Sequence, residues 1–296
     1  MSASNSRPMP KVSIGRDLTV GRVGFGAMQL TGPQVWGEFP DREAAIALLR
    51  GAVERGVTFI DTADVYGPHS NEQLIRDALH PYSDGLVIAS KGGFVRGGFD
   101  YSTLDAVGNV NYLRQCAHMS ARRLGVEQID LYYLHSGRAT DAPFEDQVGA
   151  LAELRKQGVI KHVGLSNVTV EQLHLASAIV DIAAVTAVYN VAVRTESALA
   201  AAAEAHGAVF SPWHPLTISD AGPREAARIE AAITPIATVH HATVRQTVLA
   251  WQLQRFAHSL PIPGTASVSH LEENLAAADL ELTHEEVAAI TSLVSE

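Results

Sequence analysis

The stretch FIDTADVYG, residues 59–67, decides how the chain is expected to fold. Its first residues, Phe59 and Ile60, are apolar and typical of a buried strand, and they lead directly into the carboxylate of Asp61. A short loop then carries Tyr66 before the chain turns at a Gly-Pro pair. In parallel α/β barrels the reactive groups lie at the carboxyl ends of strands and in the loops that follow them. The stretch therefore predicts a barrel strand that presents Asp61 and Tyr66 to an active site.

Outward from this stretch, strand-like and helix-like segments alternate along the chain. Residues 11–21 alternate in polarity around a Gly-Arg-Asp turn and predict a hairpin. The predicted strands cover residues 23–28, 58–61, 86–91, 129–135, 162–167, 183–190, 208–216 and 260–265. The predicted helices cover residues 41–56, 71–79, 111–124, 144–157, 170–180, 195–206 and 243–256, and the last begins near residue 269.

These alternations determine the expected fold class. Strands that are apolar on both faces are typical of a parallel sheet covered by helices. Eight strand-helix alternations favour a closed (β/α)8 TIM barrel with an N-terminal β-hairpin over an open sheet. We expect a single domain over residues 1–296, because no linker or shift in composition marks a boundary, and a flexible tail at residues 1–10.

The composition argues against several classes of function. The net charge of −10 disfavours a general affinity for nucleic acids or anionic membranes, although it allows a local basic pocket for a phosphate. The single cysteine, Cys116, excludes an intrachain disulfide and a zinc site built from cysteines. No apolar run approaches the ~20 residues of a membrane-spanning helix, and the first residues lack the apolar core of a secretory signal. These features predict a cytoplasmic protein.

Four polar side chains lie at, or just beyond, the carboxyl ends of neighbouring predicted strands. Asp61 ends the second strand and Tyr66 follows in its loop, while Lys91 and His135 end the third and fourth strands. The separations of 30 residues from Asp61 to Lys91 and 44 from Lys91 to His135 each match one helix and one strand. The spacing alone therefore predicts that the four groups meet at one mouth of the barrel. Taken singly, each has a structural alternative, as a turn cap, a surface aromatic, a solvated lysine or a structural histidine.

Five motifs occur in an order and at a spacing that resemble a known family. They are DTADVYG at 61–67, SKGGF at 90–94, IDLYYLH at 129–135, VGLSN at 163–167, and IPGT with ENL at 262–265 and 273–275. Over nearly its whole length the chain resembles the aldo-keto reductases. The run KGGFVRGG at 91–98 and the Trp-Gly pair at 36–37 resemble a bacterial branch that includes pyridoxal reductases. The resemblance implies reduction of an aldehyde or ketone by a nicotinamide cofactor that binds across the barrel mouth without a Rossmann fold.

The resemblance also implies a role for each polar group at the mouth. Tyr66 is the expected general acid, Lys91 and Asp61 the pair that tunes it, and His135 the group that orients the carbonyl. A free tyrosine has a pKa near ~10, too high for easy proton exchange at neutral pH. A neighbouring ammonium favours the phenolate, so Lys91 is expected to lower the pKa of Tyr66. Asp61 would supply the counter-ion that a partly buried ammonium needs.

The cofactor contacts implied by the resemblance are spread along the chain, and NADPH is the expected cofactor. Ser166 and Asn167 match the family's grip on the nicotinamide carboxamide, and Trp213 falls where an aromatic ring stacks on the nicotinamide. The predicted cofactor contacts are Gly26, Ala27, Met28, Asp61, Ser166, Asn167, Thr186, Trp213, His214, Pro215, Leu216, Ile262, Pro263, Gly264, Thr265, Ser267, His270, Glu273 and Asn274.

Three of these positions depart from the family's pattern. Thr186 stands where a glutamine is usual, and its hydroxyl cannot offer the paired donor and acceptor of an amide. Gly264 and His270 stand where a lysine and an arginine are often found, close to the helix N-terminus expected to bind the adenosine 2′-phosphate. NADH therefore remains the alternative cofactor. The glycine-rich run at 21–26 is not a dinucleotide fingerprint, because no helix opens on it.

The substrate side is predicted from the loops that face the catalytic groups. The predicted substrate contacts are Trp36, Tyr66, Phe94, Arg96 and His135, with Met28 beside them. Phe94 and Arg96 are the expected selectors, and Arg96 pairs either with an anionic substituent of the substrate or with a surface carboxylate. The short loop predicted at 217–224 indicates that no long lid clamps the cofactor, which favours quick cofactor exchange.

Two rival functions come from other classes. One is a cofactor-sensing regulatory protein on the same fold, like the family's potassium-channel β-subunits, and the intact set of four polar groups disfavours it. The other is a metal-dependent barrel isomerase or hydrolase. One carboxylate and one imidazole are a thin ligand set, so no metal is expected. A small carbonyl compound is the expected partner, and the sequence leaves the substrate, the direction and the oligomeric state open.

Overall fold

A computed structural model describes residues 10–295, so the tail predicted over residues 1–10 lies, apart from Pro10, outside the described residues. The strands are β1 (Lys11–Ile14), β2 (Leu18–Gly21), β3 (Phe25–Gly26), β4 (Phe59–Asp61), β5 (Val87–Gly92), β6 (Phe94–Arg96), β7 (Leu104–Ala106), β8 (Ile129–Leu134), β9 (Ile160–Ser166), β10 (Ile182–Val188) and β11 (Val209–Trp213). Seven of them form a parallel sheet in the order β11-β10-β9-β8-β5-β4-β3. The predicted barrel architecture is confirmed.

Helices connect and cover these strands. They are α1 (Arg42–Glu54), α2 (Ser70–Leu79), α3 (Val110–Leu124), α4 (Phe144–Lys156), α5 (Val170–Ser177), α6 (Ser197–Ala205), α7 (Pro223–Val239), α8 (Val244–Arg255), α9 (Val268–Ala276) and α10 (His284–Thr291). Several begin at the polar caps that the sequence supplies. The Asp41 carboxylate accepts a hydrogen bond from the first turn of α1, and Thr169 and Thr243 form capping boxes at the starts of α5 and α8.

The last predicted strand, residues 260–265, is not a regular strand, although it closes the barrel. Its first residue donates a backbone hydrogen bond of 2.8 Å to Phe210 in β11, and Gly24, next to β3, donates one of 2.9 Å to Pro261. Pro261 and Pro263 have no N–H, so this segment can accept hydrogen bonds there but cannot donate them. The seam between β11 and β3 is therefore closed by scattered bridges instead of a ladder.

The N-terminal hairpin of β1 and β2 is confirmed and lies at the amino ends of the barrel strands. Its residues Val12, Ile14 and Val20 are buried in one cluster with Phe59 and Leu131 from the barrel strands. Burial of such side chains contributes roughly 25 cal/mol per Å² of apolar surface. The hairpin therefore fills one end of the barrel, and the opposite end, where the strands stop on polar residues, remains for chemistry.

Three features were not predicted from the sequence, and one of them is the last helix, α10. β6 and β7 form an antiparallel hairpin within the glycine-rich segment after β5, and α7 occupies residues that showed no assigned pattern. The α7 helix carries Pro235 in its interior, which lowers its intrinsic propensity, and tertiary packing of Ile229 and Ile233 stabilises it. The short loop predicted at 217–224 agrees with the start of α7 at Pro223. None of the helices within residues 10–295 is long and apolar enough to cross a membrane.

Candidate active site

The buried ion pair between Asp61 and Lys91 is the centre of the candidate site. Asp61 ends β4 and Lys91 lies near the end of the adjacent β5, and each residue is only 3% exposed. The Lys91 Nζ donates to the Asp61 carboxylate and, at 2.8 Å, to the backbone carbonyl of Thr62. Burial raises the pKa of Asp61, and the charge of Lys91 opposes that rise. The ion pair is positioned by two neighbouring strands, as the repeat spacing predicted.

Tyr66 lies against this pair in the loop after β4. The Lys91 Nζ is 5.2 Å from the centroid of the Tyr66 ring, and the His135 ring centroid is 6.1 Å from it. Burial raises the pKa of Tyr66 well above its ordinary value, and the charge of Asp61 raises it further. The expected net lowering of this pKa is therefore not found, because desolvation of the phenolate and the charge of Asp61 outweigh any attraction by an ammonium already paired with Asp61. The phenol keeps its proton at neutral pH.

His135 follows directly after β8 and lies beside Tyr66 and the Asp61–Lys91 pair; these four residues are called the catalytic corner below. Its backbone N–H donates to Gly92 at 2.9 Å, and its ring lies edge-on to Phe94 at a centroid distance of 4.6 Å. Burial lowers the pKa of His135 well below its ordinary value, and Lys91 adds to this effect. The imidazole is therefore neutral at pH 7 and carries one N–H donor. Its Nδ1 is buried without a hydrogen-bond partner among residues 10–295.

A second layer of buried polar groups lies behind this corner. Asp64, three residues after Asp61, is buried, and its Oδ1 has no hydrogen-bond partner in the described part of the chain. Burial, together with the nearby charge of Glu72, raises the pKa of Asp64 to about 7. Glu72 itself is bound by Arg123 at 2.5 Å and by the Ser90 hydroxyl at 2.5 Å. This layer is structural, since Asp64, Glu72 and Arg123 are not on the wall of the cleft described next.

A cleft of about 1290 Å³ opens from the catalytic corner. The predicted residues on its wall are Gly26, Met28, Asp61, Tyr66, Lys91, Phe94, His135, Ser166, Asn167, Thr186, Trp213, His214, Pro215, Leu216, Ile262, Pro263 and Gly264. The predicted residues that are not on its wall are Ala27, Trp36, Arg96, Thr265, Ser267, His270, Glu273 and Asn274. The structure thus brings together the four catalytic candidates and the nicotinamide group of contacts. The adenosine group of contacts lies beyond the wall of the cleft.

The end of β9 and the end of β11 form a connected polar edge of the cleft. The Asn167 side-chain amide donates to the Ser166 hydroxyl at 2.9 Å and accepts a hydrogen bond of 3.2 Å from the Trp213 indole N–H. Asn167 has a left-handed backbone with φ of 53°, a conformation that asparagine adopts more readily than most residues. These contacts fix the orientation of the Trp213 ring at the cleft wall.

Two predicted contacts in this region are already engaged within the protein. The Thr186 hydroxyl donates to the carbonyl of Ser211 at 2.6 Å and is fully buried between β10 and β11. Gly26 faces the closing segment so closely that a Cβ there would lie 2.6 Å from the carbonyl oxygen of Ile262. Glycine at position 26 is thus required for closure of the barrel, whatever else contacts it.

The segment around the start of α9 is organised by its own hydroxyl groups. The Ser267 N–H donates to the Thr265 hydroxyl at 3.0 Å, and the Ser267 hydroxyl lies 2.9 Å from that of Ser269. His270 is exposed on the first turn of α9. The Asn274 side chain is 3% exposed, and its Nδ2 donor has no partner among the described residues. An unpaired buried amide is costly unless it binds a ligand or water, which makes Asn274 a candidate contact.

Arg96 is held by the protein and does not line the cleft. Its guanidinium carbon is 5.2 Å from the Trp36 ring centroid and 5.1 Å from that of Tyr101, so the cation lies between two aromatic rings. Its terminal nitrogens donate to the carbonyl groups of Val35 at 3.2 Å and Phe99 at 2.7 Å. Among residues 10–295 Arg96 makes no ion pair with a carboxylate, which is contrary to one of the two expected alternatives, and its place off the cleft wall does not support the other, a substrate contact. Arg96 instead joins the loop before α1 to the β6–β7 hairpin.

Several cleft residues were missed by the sequence reasoning. They are Gln29, Val35, Val65, Tyr101, Leu104, Arg138, Val168, Thr169, Val170, Ala187, Val188, Thr195, Glu196, Ala198, Leu199, Thr217, Ile218, Ser219, Glu230, Val244 and Arg245. Most come from loops and helix starts, and no local pattern indicates which of those face the barrel mouth. Among residues 10–295, no group of three or more His, Cys, Asp or Glu side chains could hold a metal ion.

Comparisons with known proteins agree with this geometry. The family model described as Aldo/keto reductase family matches residues 22–295. An uncharacterized oxidoreductase of Schizosaccharomyces pombe is 41% identical over 289 residues, which cover 98% of this chain and 91% of that protein. Pyridoxine 4-dehydrogenase of Escherichia coli is 40% identical over 283 residues, which cover 94% of this chain and 96% of that protein.

Solved structures with the same architecture include members of this family. A thermostable aldo-keto reductase in complex with the inhibitor epalrestat is 27% identical, with a TM-score of 0.82 over 97% of this chain and 100% of that one. An aldo/keto reductase of Klebsiella pneumoniae in complex with NADP and acetate is 26% identical, with a TM-score of 0.78 over 96% of this chain and 95% of that one. The chain therefore belongs to the aldo/keto reductase family of oxidoreductases.

Proposed function

We propose that the protein reduces an aldehyde or ketone to an alcohol with NADPH as the hydride source and Tyr66 as the proton donor. The observation that carries the proposal is the corner where a protonated phenol, a paired ammonium and a neutral imidazole meet at the wall of one cleft. NADH is the alternative cofactor, since the basic residues usual at positions 264 and 270 are missing.

The residues present fit a nicotinamide dinucleotide. The cleft of about 1290 Å³ exceeds the roughly 300–1,000 Å³ of most small-molecule pockets, which leaves room for the nicotinamide end of the cofactor beside a small substrate. Ser166, Asn167 and Trp213 would hold the nicotinamide, and the unpaired Asn274 amide would serve the adenine. When bound, this cofactor supplies the hydride that makes the reaction a reduction.

The protein's own part in the reaction is to position an oxygen atom and protonate it. His135, neutral because it is buried, would donate a hydrogen bond to the carbonyl oxygen. Tyr66, protonated because it is buried, would transfer its proton to the same oxygen. The Lys91 ammonium, 5.2 Å from the Tyr66 ring centroid, then stabilises the phenolate that remains, while Asp61 holds the ammonium in place. General acid catalysis of this kind typically contributes ~10²–10⁴ in rate.

The proposed substrate class follows from the walls near the corner and from the relatives. Apolar side chains of Val35, Val65, Phe94 and Leu104 line the cleft beside Tyr66, which favours an aldehyde on a flat aromatic ring. The relative from Escherichia coli acts, by its name, as a pyridoxine 4-dehydrogenase. Pyridoxal is therefore the first substrate to test, with pyridoxine for the reverse direction.

The test is NADPH oxidation by the wild type against a panel of carbonyl compounds that includes pyridoxal, with Tyr66→Phe as the matched variant. The phenylalanine ring keeps the packing but cannot supply a proton, so kcat is expected to fall by roughly 10²–10⁴. The affinity for NADPH, measured by calorimetry, is expected to stay near that of the wild type. A variant that turned over at the wild-type rate would overturn the assignment of Tyr66.

The same measurements separate this function from a regulatory one. A cofactor-sensing protein would bind NADPH tightly while turning over negligibly with every carbonyl compound. If the wild type bound NADPH but turned over no carbonyl compound, the result would contradict the proposed reaction and support only the proposed cofactor site.

A further inference from the structure

The expected cations for the adenosine 2′-phosphate are missing from the closing segment and α9. Gly264 has no side chain, and His270 is exposed in the first turn of α9, where it does not line the cleft. If the cofactor is NADPH, as proposed above, the phosphate needs a positive partner from another element. Three basic residues with lysine or arginine side chains line the cleft in the described part of the chain, namely Lys91, Arg138 and Arg245.

Two of these three belong to the catalytic strand ends and the loops that follow them. Lys91 is buried and bound to Asp61. Arg138 follows His135 by three residues in the loop after β8, and its Nε lies 3.4 Å from the Ser136 hydroxyl. Arg138 and Arg245 are both exposed, but the Arg245 guanidinium has no hydrogen-bond or ion-pair partner within residues 10–295. It is the second residue of α8.

The start of α8 is bound directly to α9, which places Arg245 beside the predicted adenosine contacts. The Thr243 hydroxyl donates to the Glu273 carboxylate, and the Gln246 amide donates to the Glu273 carbonyl at 3.2 Å. Thr243 and Gln246 also cap α8 reciprocally, with hydrogen bonds of 3.0 and 3.1 Å. Arg245 lies between these two anchored residues, and the unpaired buried Asn274 amide follows Glu273 directly.

The start of α8 offers an anion two favourable groups, the helix N-terminus and the Arg245 guanidinium. A helix N-terminus carries a partial positive charge, and a cation in the first turn is unfavourable there unless an anion binds nearby. No acidic residue occupies the first turn of α8. Two acids oppose an anion at this end: Glu230, from α7, lines the cleft, and the Glu273 carboxylate is bound by Thr243. Neither makes an ion pair with Arg245 among residues 10–295. The guanidinium is left free to bind a phosphate through two parallel hydrogen bonds.

We infer that Arg245 is the residue that selects NADPH over NADH, by binding the adenosine 2′-phosphate in place of the missing lysine and arginine. The inference rests on the proposed function, because it requires a nicotinamide cofactor in this cleft. It assigns the selection of the cofactor to α8, which lies outside the segment at the start of α9 where the phosphate-binding residues were expected. It also separates cofactor choice from the catalytic corner, so that the two properties respond to different substitutions.

The experiment is calorimetric titration of NADP⁺ and NAD⁺ into the wild type, Arg245→Ala, Arg245→Lys and Arg122→Ala. Arg122 is an exposed arginine on α3 that does not line the cleft, so it controls for the loss of one positive charge. Arg245→Ala is expected to weaken NADP⁺ binding by roughly 10-fold or more, since charge-assisted hydrogen bonds are the strong ones. NAD⁺ binding should change by less than about threefold, as for other surface substitutions.

The remaining variants make the result decisive. Arg245→Lys keeps the charge but loses the paired geometry, so its NADP⁺ affinity should fall between those of the wild type and Arg245→Ala. Equal losses for both nucleotides, no loss of NADP⁺ affinity, or the same loss in Arg122→Ala would overturn the inference. A wild type that binds neither nucleotide would instead contradict the proposed function, which keeps the two failures distinct.

Discussion

The two ends of the cleft differ in burial and in how their polar groups are paired. At the catalytic end, Asp61 and Lys91 are almost fully buried and bound to each other, and burial sets the pKa of both Tyr66 and His135. At the opposite end, Arg245 is exposed and unpaired among the described residues. The comparison teaches that burial fixes the protonation states and positions of the catalytic side chains, whereas an exposed, unpaired charge remains available to bind a ligand.

The largest expected effect is the removal of one partner of the buried ion pair. Lys91→Met leaves the Asp61 carboxylate buried without a counter-ion, which is expected to cost about 3–5 kcal/mol of unfolding free energy. The measurement is urea denaturation at neutral pH. The double variant Asp61→Asn with Lys91→Met, which removes both charges, should recover much of that loss.

A surface ion pair provides the matched control for this prediction. Lys161 binds Asp17 at 2.9 Å with both side chains substantially exposed, so Lys161→Met should cost less than about 1 kcal/mol. Similar losses in Lys91→Met and Lys161→Met would show that burial does not distinguish the catalytic pair from an ordinary surface pair.

The next effect concerns the pH dependence of stability, through Asp64 behind the catalytic corner. Its folded-state pKa of about 7 exceeds the ordinary value of 3.8, so between these values the folded chain holds a proton that the unfolded chain releases. This contribution is present at low pH and is lost as pH rises through about 7, with a slope of up to about 1.4 kcal/mol per pH unit. Asp64→Asn cannot titrate, so its stability should depend less on pH over this window.

Urea denaturation at several pH values between 4 and ~8 measures that slope. Asp146→Asn, an exposed substitution on α4, serves as the comparison and should keep the wild-type slope. An Asp64→Asn variant with an unchanged slope would mean that Asp64 is ionised in the folded protein throughout this range.

The smallest expected effect lies at the exposed end of the cleft. Glu230, like Arg245, lines the cleft and would repel a phosphate bound there. Glu230→Gln is therefore expected to strengthen NADP⁺ binding by roughly two- to threefold at low salt, and the gain should shrink at ~1 M salt, where the Debye length is about 3 Å. Turnover at saturating cofactor should not change. A gain that persisted at high salt would indicate a contact other than charge.

The sequence determined the parts of this protein that depend on local pattern and repeat spacing. Asp61, Lys91 and His135 were placed correctly at the ends of adjacent strands, because one helix and one strand separate each from the next and parallel strands end at the same side. The N-terminal hairpin was predicted from residues that alternate in polarity, and the barrel from continuous apolar runs, and both are local patterns in the sequence. The family resemblance followed from motifs that keep their order along the chain.

The tertiary structure decided what depends on surroundings that no local pattern encodes. The pKa of Tyr66 rises because the folded chain removes its hydroxyl from water, a cost that the identity of its neighbours did not reveal. Arg96 contacts two aromatic rings from distant loops, and Arg245 lines the cleft from the start of α8, which is hydrogen-bonded to Glu273. Desolvation and long-range packing exist only once the barrel has closed. They determine the direction of the pKa shift of Tyr66 and the contacts that Arg96 and Arg245 make.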